Sequence, residues 1–160
     1  MTDYWNTKTL VLGCGNVLFG DDGFGPAVVE YLLENTEIPP NTCVINAGLS
    51  VRELLFTIVL GDTRPEKIII VDAVDAGRIP GDIFELEVSD IPEIKIDDFS
   101  MHQMPTSNLL RELQEICGVE VQIISVQVQS IPDEVSPGLS AVVRNSVPPA
   151  CEKILHALNE

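Results

Sequence analysis

Positively charged residues are scarce in this sequence. Nine of the 160 residues are lysine or arginine, against 25 aspartates and glutamates, so the formal net charge is −16. A protein this acidic repels phosphate groups, which argues strongly against nucleic acid as a partner and weakens any association with anionic lipid. We therefore expect neither a nucleic-acid partner nor a membrane partner.

Long apolar runs and paired cysteines are also missing. No run approaches the roughly 20 residues that span a bilayer, and the first residues, MTDYWNTK, lack the features of a signal peptide. The four cysteines are scattered without a C-x-x-C pair, which fits neither a zinc site nor a small disulfide scaffold. We expect a cytoplasmic protein with reduced thiols, forming one domain over residues 1–160.

Strand and helix patterns alternate along the chain. Residues 67–74, KIIIVDAV, form a buried strand pattern, and residues 82–88 alternate apolar and acidic side chains as an edge strand does. The order βαβαββαβα predicts an α/β three-layer sandwich. Its five-stranded twisted sheet should be mostly parallel, with one antiparallel edge strand and helices on both faces. The other predicted strands are 10–12, 42–46 and 121–128, and the predicted helices are 25–35, 50–61, 105–116 and 139–158, the last interrupted at Pro148 and Pro149.

The glycine-rich stretch 9–25, TLVLGCGNVLFGDDGFG, links the first strand to the first helix. Such a loop can bind a dinucleotide when it contains G-x-G-x-x-G. Here Leu18 occupies the third glycine position, and the adjacent acids Asp21 and Asp22 would repel a pyrophosphate. The stretch therefore favours a loop that presents carboxylates.

Several polar side chains follow the carboxyl ends of predicted strands, where functional groups of parallel sheets gather. They are Asp21, Asp22, Asp72, Asp75 and His102. Two carboxylates and an imidazole can bind a metal or act as general acid and base. The alternatives are structural: the two adjacent acids could cap the following helix, and the histidine could be an ordinary surface residue. An acid ending a buried strand is harder to explain without a function.

Cys14 is a possible nucleophile in the same loop. Because no histidine is close to it in sequence, packing in the turn is the favoured interpretation, and its role stays open.

Three separated motifs resemble the hydrogenase maturation endopeptidases, which remove the C-terminal extension of the large subunit of nickel–iron hydrogenases. The motifs are residues 13–25 (GCGNVLFGDDGFG), residues 70–74 (IVDAV) and residues 100–103 (SMHQ), in the family's order and spacing. The resemblance covers essentially the whole chain. It looks closest to members serving deazaflavin-coenzyme-reducing hydrogenases of methanogens.

The resemblance implies roles for individual residues. The family's metal-contacting residues fall on Asp22, where some members have glutamate, and on Asp72 and His102. It further implies an aspartyl-type peptidase with no tightly bound cofactor, which recognises nickel already held by the hydrogenase large-subunit precursor. The nickel could polarise the scissile carbonyl, or a carboxylate could act as base.

Two other functions are compatible with the same residues. A non-catalytic, flavodoxin-like module that binds a small ligand or nickel would use the same edge of the sheet. An autonomous metallohydrolase of small substrates would also need acids and a histidine there.

Overall fold

The computed structural model describes residues 4–90 and 104–159, with only the backbone described for residues 104–107. Its strands form one five-stranded sheet in the order β2-β1-β3-β5-β4. The strands are β1 (Thr9–Cys14), β2 (Thr42–Gly48), β3 (Lys67–Val74), β4 (Ile83–Leu86) and β5 (Glu120–Gln127). The helices are α1 (Phe24–Asn35), α2 (Val51–Leu60), α3 (Met104–Glu115), α4 (Ala141–Arg144) and α5 (Val147–Leu158).

The sheet confirms the predicted fold class. Strands β2, β1, β3 and β5 are parallel, and β4 pairs antiparallel with β5 at one edge. The central strand β3 is buried along nearly its whole length, as its run of β-branched aliphatic residues predicts. The carboxyl ends of the four parallel strands therefore share one edge of the sheet.

Alternation along the strands gives the sheet two apolar faces, each covered by helices. Val11, Ile69 and Ile124 face one core, which α1 and α5 cover. Leu12, Ile70 and Ile123 face the other core, which α2 and α3 cover. Each residue with an even number on β1 and β3 therefore lies on the α2–α3 face. Asp72 of β3 is one of these residues.

The end of the chain folds as two helices where one interrupted helix was predicted. The helices α4 and α5 are separated at Asn145 and Ser146. Pro148 and Pro149 lie in the first turn of α5. Backbone N–H groups in a first turn have no partner within the helix, so proline, which lacks an N–H, costs no hydrogen bond there. The prolines thus begin a helix after the break.

Helix α2 begins without a side-chain cap, although Ser50 and Glu53 have the spacing of a capping box. Ser50 does precede the helix, but its side chain makes no capping hydrogen bond. Its backbone N–H donates to the carbonyl of Ala47, which closes a tight turn between β2 and α2.

Over residues 4–90 and 104–159, no helix is long and apolar enough to cross a membrane.

Candidate active site

The loop after β1 is folded tightly over the carboxyl ends of the strands. Gly15 has a φ of 131°, a region that favours glycine, and a Cβ there would collide with the carbonyl oxygen of Asp22. A Cβ on Gly25 would collide with the backbone of Cys14 and lie 2.6 Å from the carbonyl oxygen of Val71. The first turn of α1 therefore lies directly against β1 and β3, and the loop can close only with glycine at these positions.

Asp22 is partly exposed on a short helical turn, Gly20–Gly23, which packs against β3. One carboxylate oxygen accepts a hydrogen bond from the backbone N–H of Asn16 at 2.9 Å. The Asn16 side chain in turn accepts from the N–H of Leu18 at 3.0 Å. These bonds hold the carboxylate beside the backbone of its own loop while leaving part of it accessible.

Asp21 does not cap the helix that follows it. The helix α1 has no side-chain cap, so the structural alternative that this acid caps it is wrong. Asp21 is 1% exposed, and its carboxylate accepts from the N–H groups of Gln129, Ser130 and Ser140 and from the Ser140 hydroxyl. It therefore ties the first loop to the segment after β5.

Asp72 lies on the α2–α3 face near the end of β3 and is 4% exposed. One carboxylate oxygen accepts from the N–H of Ala73 at 2.8 Å. In the sheet, Asp72 pairs with Ser125 of β5. On the other side of β3, the pairing with β1 ends at Gly13 and Val71, one residue before Asp72. A carboxylate and a hydroxyl therefore stand side by side on adjacent strands.

Cys14 is buried within the α2–α3 core, and its sulfur lies 3.8 Å from the carbonyl oxygen of Leu12. A thiol so placed contributes to packing, which agrees with the interpretation favoured from the sequence. Two thiols elsewhere in the fold have a pKa raised by burial: that of Cys43 and, to about 12, that of Cys151.

His102 lies outside the described residues, so its predicted place beside the two acids stays a prediction. It precedes the first residue of α3, Met104, by two positions in the sequence. Within the described parts of the chain, no group of three or more histidines, cysteines and acids is arranged to hold a metal ion. The two carboxylates of the predicted set do share the carboxyl-terminal edge of the sheet.

Asp75 stabilises the loop after β3 through hydrogen bonds. Its carboxylate accepts from the N–H of Gly77 and from the side-chain amide of Gln127. The Gln127 side-chain oxygen also accepts from the N–H groups of Ala76 and Arg78. Sequence reasoning missed this glutamine; the signal was a polar residue among apolar ones at the end of β5.

Apolar side chains are exposed to solvent on the first loop and beside it. Val17 is 51% exposed and Leu18 is 44% exposed, and the carbonyl of Leu18 accepts from the N–H of Ser136. Val135, next to that serine, is 63% exposed. Clustered exposed apolar side chains beside a functional loop often mark contact with another molecule.

Comparison with known proteins decides the family. The family model described as HycI, hydrogenase maturation protease, matches residues 26–157. The chain belongs to the hydrogenase maturation protease family. It is therefore a peptidase, and the interpretation as a non-catalytic binding module is not supported.

Individual relatives agree with this assignment. The chain is 43% identical over 148 residues to a candidate hydrogenase maturation protease of Methanocaldococcus jannaschii, covering 91% of this chain and 93% of the relative. It is 35% identical over 155 residues to the coenzyme F420 hydrogenase subunit delta of Methanothermobacter thermautotrophicus, covering 94% of each. Among solved structures, the hydrogenase maturating endopeptidase HybD of Escherichia coli superposes with a TM-score of 0.77 at 27% identity, covering 95% of this chain and 92% of that one.

Proposed function

We propose that this protease removes the C-terminal extension of a nickel-loaded nickel–iron hydrogenase large-subunit precursor, and that Asp22, Asp72 and His102 contact the precursor's nickel. One observation carries the proposal. The loop that presents Asp22 packs against β3, the strand that presents Asp72, at the edge of the sheet where parallel α/β proteins bind ligands. Two carboxylates in a protease of this family therefore lie at the same edge of the sheet.

The two acids differ in burial, and that difference suits a site completed by its substrate. Asp72 is almost fully buried and fixed on a central strand, whereas Asp22 is partly exposed on a loop. Carboxylate oxygen and imidazole nitrogen are both suitable ligands for a divalent transition metal. Three protein ligands leave coordination positions open for the ligands of the metal that the precursor supplies. We therefore propose no resident cofactor, with nickel arriving as part of the substrate.

Two routes of hydrolysis are compatible with these residues. In the first, Asp22 or Asp72 acts as base: it takes a proton from a water molecule whose oxygen attacks the scissile carbonyl carbon. The carbon–nitrogen bond then breaks, and the nitrogen leaves as an amine after accepting that proton. In the second, the carboxylates hold the substrate nickel so that it polarises the scissile carbonyl. The first route would make the protein an aspartyl-type peptidase in the literal sense.

The surface around the site is suited to a protein substrate. The exposed Val17 and Leu18 flank the loop of Asp22, and Val135 lies next to them across the hydrogen bond from Ser136 to Leu18. Such side chains lose contact with water when a polypeptide docks, which favours binding. We further propose that the precursor belongs to a deazaflavin-coenzyme-reducing hydrogenase, because coenzyme F420 is a deazaflavin and a relative is named for that hydrogenase.

The direct test uses purified large-subunit precursor, prepared with and without nickel, and the full-length protease. Mass spectrometry of the precursor after incubation detects loss of its C-terminal extension. Wild-type protease should cleave the nickel-loaded precursor and leave the nickel-free form intact. Asp22→Ala, Asp72→Ala and His102→Ala should each lower the cleavage rate by about 100-fold or more, as the loss of a reacting group does.

A matched aspartate serves as control. Asp62 is exposed in the turn between α2 and β3, at the opposite edge of the sheet from the site. Asp62→Ala should cleave like the wild type. Wild-type rates for the three site variants would overturn the site, and equal cleavage of loaded and nickel-free precursor would overturn nickel recognition.

A further inference from the structure

Ser125 presents an anomaly in the middle of the sheet. Its side chain is 0% exposed, and its hydroxyl oxygen, Oγ, has no hydrogen-bond partner. Among the buried side-chain nitrogen and oxygen atoms of the described residues, it is the one atom without a hydrogen-bond partner. A buried hydroxyl without a partner lowers the free energy of unfolding, and an alanine would fill the position without that loss.

The sheet register gives this serine a specific neighbour. Ser125 of β5 and Asp72 of β3 are paired positions on adjacent parallel strands. Ile70 and Ile123, two positions earlier on each strand, are also paired and both belong to the α2–α3 core. Because side chains alternate, Ser125 and Asp72 project from the same face. Adjacent strands lie about 4.8 Å apart, a separation that serine and aspartate side chains can bridge.

We propose that Ser125 is a positioning residue for Asp72: its hydroxyl donates a hydrogen bond to the Asp72 carboxylate when that carboxylate engages the metal of the precursor. This inference rests on the proposed function of Asp72. A serine side chain reorients by rotation about one torsion, χ1, so no backbone movement is needed. The hydroxyl hydrogen would fix the orientation of one carboxylate oxygen and leave the other for the metal.

The chemistry of metal sites supports such a role. A carboxylate that binds a metal commonly accepts a hydrogen bond from a neighbouring group, and the loss of that group costs about 10- to 100-fold in metal affinity or activity. In the structure, the N–H of Ala73, the next residue of its own strand, donates a hydrogen bond to the carboxylate of Asp72. A donor on the neighbouring strand would constrain the carboxylate from the β5 side as well.

Ser125→Ala and Ser125→Thr in the full-length protein test the proposal, with kcat and KM measured on nickel-loaded precursor and the melting temperature measured for each variant. Ser125→Ala should lower kcat about 10-fold. KM should change little, because docking of the precursor does not involve this buried residue. The melting temperature should stay unchanged or rise, since an unpartnered hydroxyl is removed. Ser125→Thr keeps the hydroxyl and should cleave faster than Ser125→Ala.

Ser146 supplies a matched control. It is also a buried serine, but its hydroxyl donates to the carbonyl of Gly81 at 2.7 Å and lies 3.1 Å from that of Val142. Ser146→Ala should lower the melting temperature and leave kcat close to that of the wild type. The two serines should therefore show opposite effects on stability and activity.

The outcomes separate this inference from the proposed function. If Asp72→Asn cleaves at the wild-type rate, the proposed function of Asp72 is wrong. If Asp72→Asn is inactive but Ser125→Ala keeps the wild-type kcat, only the positioning role is overturned. A loss of kcat accompanied by a lower melting temperature, or equal rates for the alanine and threonine variants, would also overturn it. When Ser125→Ala is combined with Asp72→Asn, the cleavage rate should fall no further than it does with Asp72→Asn alone.

Discussion

The carboxylate of Asp21 accepts two hydrogen bonds from Ser140, one from the backbone N–H at 2.7 Å and one from the hydroxyl at 2.9 Å. The same carboxylate accepts from the N–H of Gln129 at 2.9 Å. These bonds connect the loop after β1 with the segment between β5 and α4. Because Asp22 is the next residue, they also fix the backbone that carries a proposed metal-contacting acid.

Asp21→Asn should therefore destabilise the protein although it preserves the shape of the side chain. The amide replaces one acceptor oxygen with an NH2 group, which would face N–H and O–H donors and leave at least one of them unpaired. We expect the free energy of unfolding to fall by about 2–4 kcal/mol. Urea denaturation monitored by circular dichroism measures this change.

The neighbouring acid provides the matched comparison. Asp22 is partly exposed, so Asp22→Asn should change the free energy of unfolding by less than about 1 kcal/mol while strongly lowering cleavage. Equal urea midpoints for Asp21→Asn and the wild type would show that the buried hydrogen bonds do not stabilise the fold.

The layers of the fold were predictable because they follow from local patterns. The apolar run Lys67–Val74 indicates a strand buried on both faces, and the alternation in residues 82–88 indicates an edge strand. Neither inference needs knowledge of any distant residue. The break near the prolines was also predictable, but its position before Pro148 depends on how α4 and α5 pack.

The role of Asp21 was not predictable, because its partners come more than 100 residues later. Local rules see an acid before a helix and predict a cap. Ser125 shows the same limit: it is one polar residue in an apolar strand until the pairing of β3 with β5 makes it a neighbour of Asp72. Asp22 and Asp72 were identified because each belongs to a continuous motif in the sequence.

Cys151 predicts a pH dependence of stability. Burial raises the pKa of this thiol from its ordinary value of 9.0 to about 12. Between these values the unfolded chain releases the thiol proton and the folded protein retains it, so stability falls as the pH rises. The full contribution of the buried neutral thiol is therefore present below the ordinary pKa.

Cys151→Ala removes that titration. The wild type should be more stable than the variant at about pH 8, because alanine leaves a small cavity, and the advantage should shrink by about pH 10.5. Urea denaturation of both proteins at the two pH values measures the difference. Cys43, whose pKa burial also raises, is present in both proteins and cancels. An advantage that stays constant with pH would contradict the prediction.

Gly15 and Gly77 allow the geometry of the first loop to be separated from backbone strain. Both have positive φ, 131° and 71°, but a Cβ on Gly15 would collide with the carbonyl oxygen of Asp22, whereas a Cβ on Gly77 would have nothing within 4 Å. Gly77→Ala should therefore lower the free energy of unfolding by about 1 kcal/mol, from strain alone, and leave cleavage unchanged. Gly15→Ala should lose more stability and also lose cleavage, because the collision displaces the residue that carries the carboxylate.

Urea denaturation and cleavage of nickel-loaded precursor measure the two effects. If Gly15→Ala cleaves as fast as Gly77→Ala, the tight closure of this loop is not what positions Asp22.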